Sequence, residues 1–192
     1  PDVVQVARPL IELTFDGNGD GALNTGSLSA SHESARITDP APVRSMNVPA
    51  VGGTGSVDFG TAFGNHAVEF ESPVAALHGV RSFTVTGWLN ARSGEIGSGG
   101  NRVVSTSDVF PADGFDLVMM GDGSLKLGVN EWPDNSPAQS SAGAITVDPN
   151  ASAANWVFFA VTYDSTTAAT RFYFGDSEAQ AEEDKAIGYG RG

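Results

Sequence analysis

Short segments in which apolar and polar residues alternate recur along the chain, and they constrain its fold more than any other feature. In "SFTVTGWLN" (82–90), the apolar residues Phe83, Val85 and Leu89 are separated by threonine, glycine and tryptophan. "LIELTF" (10–15) and "HAVEF" (66–70) show the same period. A period of two is that of a β-strand with two distinct faces, so these segments predict strands.

Two longer segments predict β-hairpins. In "GFDLVMMGDGSLKLGVN" (114–130), two strand-like runs flank Asp122 and Gly123. Asp-Gly favours a tight turn in which both central residues tolerate positive φ. In "NWVFFAVTYDSTTAATRFYFGD" (155–176), residues 157–163 and 171–174 are rich in aromatic and β-branched residues, and the polar link between them suits a turn.

No segment has the sustained apolar stripe of an amphipathic helix. The best candidate, residues 177–186, has helix-forming residues but almost no apolar face, and we expect a short exposed turn or loop there. Long polar connections are expected at 24–56, 91–100 and 131–155. The many turn signals, including 24 glycines and 10 prolines, predict an all-β, antiparallel sandwich or barrel.

Charge and composition exclude several classes of partner. The formal net charge is −13, which repels phosphate backbones, so no nucleic-acid partner is expected. No apolar run approaches the roughly 20 residues needed to cross a bilayer, and no membrane insertion is expected. The chain has no cysteine, so thiol chemistry and disulfides are excluded.

The segment "FDGNGDG" (15–21) has the first half of an EF-hand calcium loop. Asp16, Asn18 and Asp20 alternate with glycines, and their hard oxygens suit calcium. The twelfth loop position is Ser27 instead of glutamate, and no amphipathic helix flanks the loop, which excludes an EF-hand. Two interpretations remain: a loop whose glycines permit tight turns, or a calcium site formed by these three residues.

Taken in order, these segments resemble bacterial LamG-like domains of the concanavalin A-like lectin and glucanase superfamily. The most specific are "SFTVTGW" and "NWVFFAVTYD" followed by "FYFGD", and the resemblance extends from about residue 10 to 175. "F-D-G" at 15–17 and "N-T-G" at 24–26 also match. The resemblance implies an antiparallel two-sheet jelly-roll β-sandwich over residues 10–192, preceded by an N-terminal extension at 1–9. It also implies an extracellular role, often in binding glycans or proteins with the help of calcium.

The sequence departs from that family at its end. Relatives continue past "GYGRG" with a final strand pair, usually containing G-x-I-D-D-V-R, whereas this sequence ends at Gly192. A jelly roll lacking its final strands would expose a sheet edge, which a neighbouring chain can close by adding a strand. The apolar segment at 1–9 is a candidate donated strand. The absent segment also puts in doubt a calcium ligand that the family can draw from it.

Catalytic signatures of glycan-active enzymes are missing from the sequence. There is no E-x-D-x-x-E, and Glu69 and Glu71 are predicted to lie on a solvated outer face because Val68 and Phe70 occupy the core face. The lyase strings Q-x-H and Y-x-K-x-G-x-Y and the hydrolase string G-x-S-x-G are absent as well. The three histidines are scattered, which argues against zinc. We therefore expect no catalytic residues.

A sugar-binding site needs an exposed aromatic ring beside polar groups, and "NEWPDNSP" (130–137) is the best candidate. Trp132 is flanked there by Asn130, Asp134 and Asn135. The alternative is that Trp132 anchors its loop by packing over the sandwich edge. Trp88 and Trp156 fall within or beside strands and are expected to be packed.

These observations predict a non-catalytic recognition module, carbohydrate-binding or adhesive and assisted by calcium, on a secreted or cell-surface bacterial protein. Its expected partner is a glycan or a cell-surface protein. Two alternatives stay open. One is a structural subunit of an extracellular assembly that self-associates by strand exchange. The other is an accessory domain of a glycan-active enzyme.

Overall fold

Each alternating segment contains a strand, although 10–15 and 66–70 contribute only two strand residues each. The computed structural model describes residues 8–17, 21–38, 43–60, 66–92, 99–106, 113–150 and 152–191, and over these ranges it is all-β with mostly antiparallel pairing. No helix within these ranges is long and apolar enough to cross a membrane. The chain divides into two compact units, which consist of residues 1–48 with 52–74 and of residues 49–51 with 75–192.

The first unit contains two small antiparallel sheets. Its strands are β1 (Leu13–Thr14), β2 (Gly21–Asn24), β3 (Ser34–Ile37), β4 (Val43–Ser45), β5 (Ser56–Asp58) and β6 (Val68–Glu69). One sheet has the order β1-β2-β3-β6, and β4 pairs with β5. Residues 24–56, which were expected to be a polar connection, therefore contain two whole strands and the start of β5. Both β3 and β4 have only three or four residues, too few for a periodicity to be detected.

A buried asparagine organises the turn after β2. Asn24 is 2% exposed. Its Oδ1 accepts from the backbone N–H of Glu12 at 3.0 Å and of Gly26 at 2.9 Å, and its Nδ2 donates to the carbonyl of His32 at 2.8 Å. Gly26 lies so close to Leu10 that a Cβ would be 2.4 Å from the Leu10 carbonyl oxygen. The "N-T-G" string therefore has a structural role: the buried amide of Asn24 has its hydrogen-bond partners, and Gly26 lets its backbone lie close to that of Leu10.

The second unit carries the longer strands. They are β7 (Ser82–Leu89), β8 (Ala91–Arg92), β9 (Asn101–Ser105), β10 (Phe115–Met119), β11 (Leu125–Val129), β12 (Val147–Asp148), β13 (Val157–Asp164), β14 (Ala169–Gly175) and β15 (Glu182–Gly188). One antiparallel sheet has the order β15-β14-β13-β7, and another has the order β11-β10-β9. A short parallel pair joins β12 to β8.

The two antiparallel sheets of the second unit share one hydrophobic core. On β13, alternate residues are buried while the residues between them are partly exposed. The rings of Phe83 on β7 and Phe115 on β10 stack with their centroids 4.2 Å apart, which links the two sheets. Leu117, Val161 and Phe172 are completely buried in the same cluster. Each such side chain contributes about 1.5–3 kcal/mol through burial, so this core stabilises a sandwich-like arrangement.

Both predicted hairpins are present, but the first has a different turn. Strand β10 pairs with β11, and β13 pairs with β14, in the expected antiparallel register. In the turn between β10 and β11, positive φ occurs at Gly123 (77°) and not at Asp122. Gly123 N–H donates to the Met120 carbonyl at 3.0 Å, and Met120 N–H donates to Ser124 at 2.9 Å. These bonds define a three-residue turn with a glycine bulge, in which the Asp122 side chain accepts from Ser124.

Two expectations for the second unit were wrong. Residues 182–188 form the edge strand β15, not a turn or loop. Its charged residues are exposed and show no alternation, so periodicity does not indicate a strand there. Charges of this kind are common on edge strands, where they oppose aggregation. The connection at 131–155 is not wholly polar either. It supplies Ala138 and Ile145 to the core, and its residues 138–140 hydrogen-bond along β11.

Candidate functional site

An arginine on the outer face of the three-stranded sheet is fixed by a buried carboxylate. Arg102 on β9 lies opposite Val118 on β10, and a shift of register next to Val118 brings its side chain to Asp116. Its Nε lies 3.2 Å from both Asp116 oxygens. Asp116 is 1% exposed, whereas the Arg102 side chain is 54% exposed. The guanidinium is therefore anchored at Nε, while more than half of the side chain stays exposed.

The loop that follows β11 covers the same face of the sheet. A Cβ at Gly128 would lie 2.5 Å from the carbonyl oxygen of Glu131 and 2.9 Å from Pro133 N, so only glycine lets the loop approach so closely. Residues 133–135 then form one 3₁₀ turn, whose carbonyl at Asp134 accepts from Lys126 Nζ at 3.1 Å. This packing places Trp132 beside Arg102.

Trp132 and Arg102 together form one side of a small cleft. The Arg102 guanidinium carbon lies 5.2 Å from the centroid of the Trp132 ring, which is a cation–π arrangement. The cleft has a volume of about 110 Å³. Its lining residues are Gly99, Gly100, Arg102, Val118, Trp132, Pro133 and Asp134. Its lining combines an aromatic residue, a cationic residue, an acidic residue and two glycines.

The predicted sugar-binding residues are only partly brought together. Trp132 and Asp134 line the cleft, and Trp132 is partly buried. Asn130 does not line it. The Oδ1 atom of Asn130 accepts from Gly114 N–H at 3.1 Å, and its Nδ2 donates to the Arg191 carbonyl at 2.9 Å. Asn135 is exposed and closes the 3₁₀ turn by donating its N–H to Trp132. Asn130 and Asn135 therefore shape the loop.

A second set of contacts fixes the start of this loop. Tyr189 donates its hydroxyl to Glu131 Oε1 at 2.7 Å and accepts from Val129 N–H at 3.0 Å. Arg191 forms an ion pair with Glu131 at 2.6 Å. Burial, followed by the hydrogen bond to Glu131, raises the pKa of Tyr189 to about 12. The Trp132 loop thus starts from a rigid support.

Two of the three predicted calcium ligands, Asn18 and Asp20, lie outside the described residues. Asp16 Oδ1 accepts from the N–H and hydroxyl of Thr54 and from Gly55 N–H. The hydrogen bond from Thr54 N–H is the main cause that lowers the pKa of Asp16. Within the described ranges, no group of three acidic or histidine residues is placed to hold a metal. Asp16 Oδ2 is the oxygen that this arrangement leaves for an ion, so calcium would depend on Asn18 and Asp20.

The first unit has a larger cleft, of about 290 Å³, that the sequence did not indicate. His32 lies edge-to-face with Phe70 at 5.4 Å, and its Nε2 is 3.3 Å from the Pro73 carbonyl oxygen. The cleft is lined by Ser31, His32, Glu33, Ser34, Arg36, Phe70, Glu71 and Ser72. Glu69 and Glu71 are exposed, but the predicted core face is wrong: Val68 and Phe70 are only partly buried, β6 ends at Glu69, and Glu71 lines this cleft.

Sequence analysis also missed Arg102 and Asp116. The available signal was one aspartate inside the apolar run 115–119, because a carboxylate buried in a strand requires a partner. Comparisons with protein-family models, with curated proteins and with solved structures found no significant match for this chain. The geometry of the two clefts is therefore the basis for any functional assignment.

Proposed function

We propose that this chain is a non-catalytic recognition module that binds carbohydrate at the Trp132 cleft. The observation that carries the proposal is the position of Trp132, held beside an anchored arginine in a cleft that the exposed residue Asp134 also lines. Sugar rings contact aromatic side chains through their C–H faces, and their hydroxyls need both donors and acceptors. Arg102 supplies donors, and Asp134 supplies acceptors.

The fold that we propose for this module is a LamG-like, concanavalin A-like jelly roll on a secreted or cell-surface bacterial protein. The shared core between two antiparallel sheets in the second unit supports the proposal, as do the two hairpins in the predicted order. The proposal includes a calcium ion bound by Asp16, Asn18 and Asp20, which assists carbohydrate binding. Isothermal titration with calcium, compared between the wild type and an Asp16→Asn variant, tests that part, since loss of heat in the variant is expected.

The competing proposal is a structural subunit that assembles through an open sheet edge. Strand β15 is unsuited to be that edge, because it begins with four consecutive exposed charged residues, Glu182, Glu183, Asp184 and Lys185. Consecutive charges on an edge strand oppose pairing with a second copy, so recognition is the better supported function. Sedimentation of the purified chain tests this choice, and ordered polymers would favour the structural subunit.

The binding proposal is tested with a glycan array followed by titration of the best neutral and charged oligosaccharides. Trp132→Ala is expected to abolish binding without changing the far-ultraviolet circular dichroism. Phe59→Ala is the matched control, because Phe59 is an aromatic side chain that is 47% exposed and does not line the cleft. Full binding by the Trp132→Ala variant, or no binding to any glycan by the wild type, would refute the proposal.

A further inference from the structure

We infer that the Trp132 cleft selects sugars that carry an anionic group, which Arg102 binds through its two terminal nitrogens. This inference rests on the proposed function and specifies its ligand class. The geometry of Arg102 is the starting point. Nε is the nitrogen that faces Asp116, at 3.2 Å from each carboxylate oxygen, and the terminal nitrogens donate to none of the described residues.

An arginine fixed in this way is prepared for bidentate binding. The guanidinium is planar and rigid, and its paired N–H groups match the two oxygens of a carboxylate or sulfate. Asp116 and the ring of Trp132 hold Arg102 in place from two directions. Much of the entropy lost when a long side chain binds a ligand has therefore been lost already in the free protein.

The size of the cleft indicates that a substituent enters it, because the space is smaller than a typical ligand pocket. A volume of about 110 Å³ lies below the roughly 300–1,000 Å³ of a typical ligand pocket, which suits a carboxylate or sulfate group better than a whole pyranose ring. The sugar ring then remains outside against the exposed part of Trp132.

Asp134 sets the orientation of the ligand. Asp134 lines the same cleft and is exposed, so its negative charge repels an anion placed next to it. The anionic group must therefore lie at the Arg102 side, and Asp134 accepts hydrogen bonds from sugar hydroxyls. Lys126 Nζ, which binds the Asp134 carbonyl oxygen at 3.1 Å, adds a cation to this part of the surface.

The charge on the whole chain distinguishes this site from a nonspecific basic patch. With a net charge of −13, the protein repels a polyanion at long range, and salt weakens that repulsion. The hydrogen bonds from Arg102 act at short range and are screened less. Affinity for a short anionic oligosaccharide is therefore expected to stay level or to rise between 10 and 150 mM salt.

Calorimetric titration of the full chain with matched oligosaccharides tests the inference. One pair is trigalacturonate and its methyl ester, and the other is a sulfated galactan trisaccharide and its desulfated form. We expect the charged member of at least one pair to bind about ten- to a hundredfold more tightly, as one or two charge-assisted hydrogen bonds allow. The pair that shows the preference identifies the anionic group as carboxylate or sulfate.

Two variants assign the preference to the cleft. Arg102→Lys keeps the positive charge beside Asp116 but loses the planar fork, and it is expected to remove most of the preference. Asp134→Asn is expected to raise the affinity for the charged trisaccharide several-fold, and this variant does not depend on the Arg102 ion pair. Equal affinity within both pairs, or an undiminished preference in Arg102→Lys, overturns the inference while carbohydrate binding stands. If none of the four trisaccharides binds, the inference is overturned, and the glycan array decides separately whether the proposed function stands.

Discussion

The hydroxyl of Tyr189 joins the segment after β15 to the start of the Trp132 loop, because it donates to Glu131 at 2.7 Å while accepting from Val129 N–H at 3.0 Å. Tyr189 is only 4% exposed, so both hydrogen bonds are shielded from water. The residue that precedes Trp132 is thus held by a side chain 58 positions away in sequence. The shape of the candidate site depends on this contact.

Replacing Tyr189 with phenylalanine is expected to lower the free energy of unfolding by about 1–3 kcal/mol. The reason is that Val129 N–H loses its partner in a buried setting and Glu131 loses a donor. Urea denaturation measures the change. Tyr173→Phe is the control, since Tyr173 is partly exposed on β14, and a change within about 0.5 kcal/mol is expected there. Equal effects of the two variants would contradict the assigned role of Tyr189.

The raised pKa of Tyr189, about 12 against an ordinary value of 10, makes stability depend on alkaline pH. The unfolded chain releases the phenolic proton near pH 10, whereas the folded chain keeps it until about pH 12. The contribution of Tyr189 is therefore fully present below pH 10 and is lost as the pH rises to about 12. Unfolding free energies measured between pH 8 and 12 should fall more steeply for the wild type than for Tyr189→Phe. Parallel curves would show that Tyr189 titrates normally.

The ion pair between Arg102 and Asp116 is expected to respond asymmetrically to substitution. Arg102→Gln leaves a carboxylate that is 1% exposed without its cation, at a cost of about 3 kcal/mol. Asp116→Asn costs less, about 1 kcal/mol, because the Arg102 side chain is 54% exposed and stays hydrated. Thermal and urea denaturation measure both variants.

Two further variants check this asymmetry. Combining Arg102→Gln with Asp116→Asn is expected to restore part of the stability lost in Arg102→Gln, because the unpaired charge disappears. Arg171→Gln is the matched surface control. Its partner Glu183 is 40% exposed, so a loss below about 1 kcal/mol is expected. A larger loss from Asp116→Asn than from Arg102→Gln would contradict the explanation.

The strands that build the core could be predicted from the sequence. Strands β7 and β13 bury alternate residues, which gives their sequences a period of two. Strands β10 and β11 are buried along nearly their whole length and were recognised as two strand-like runs on either side of an Asp-Gly pair, and β14 was recognised by its aromatic residues. The sequence was not sufficient for β15, since an edge strand can be held by backbone hydrogen bonds alone and its side chains face water. Trp132 and Asp134 were found because an aromatic residue in a polar loop is a local signal. Arg102 was missed because its pairing with Asp116 depends on a register shift between two strands, which no local pattern encodes.

The turn between β10 and β11 offers the sharpest comparison of two glycines in one loop. Gly123 has φ of 77°, and a Cβ there would lie 2.3 Å from the carbonyl oxygen of Ile145. Gly121 has no atom within 4 Å of its Cβ position and no positive φ. Gly123→Ala is therefore expected to cost about 2 kcal/mol or more, whereas Gly121→Ala is expected to be neutral or slightly stabilising. Urea denaturation of the two variants tests the turn geometry, and equal tolerance of alanine at the two positions would contradict the positive φ and close packing of Gly123.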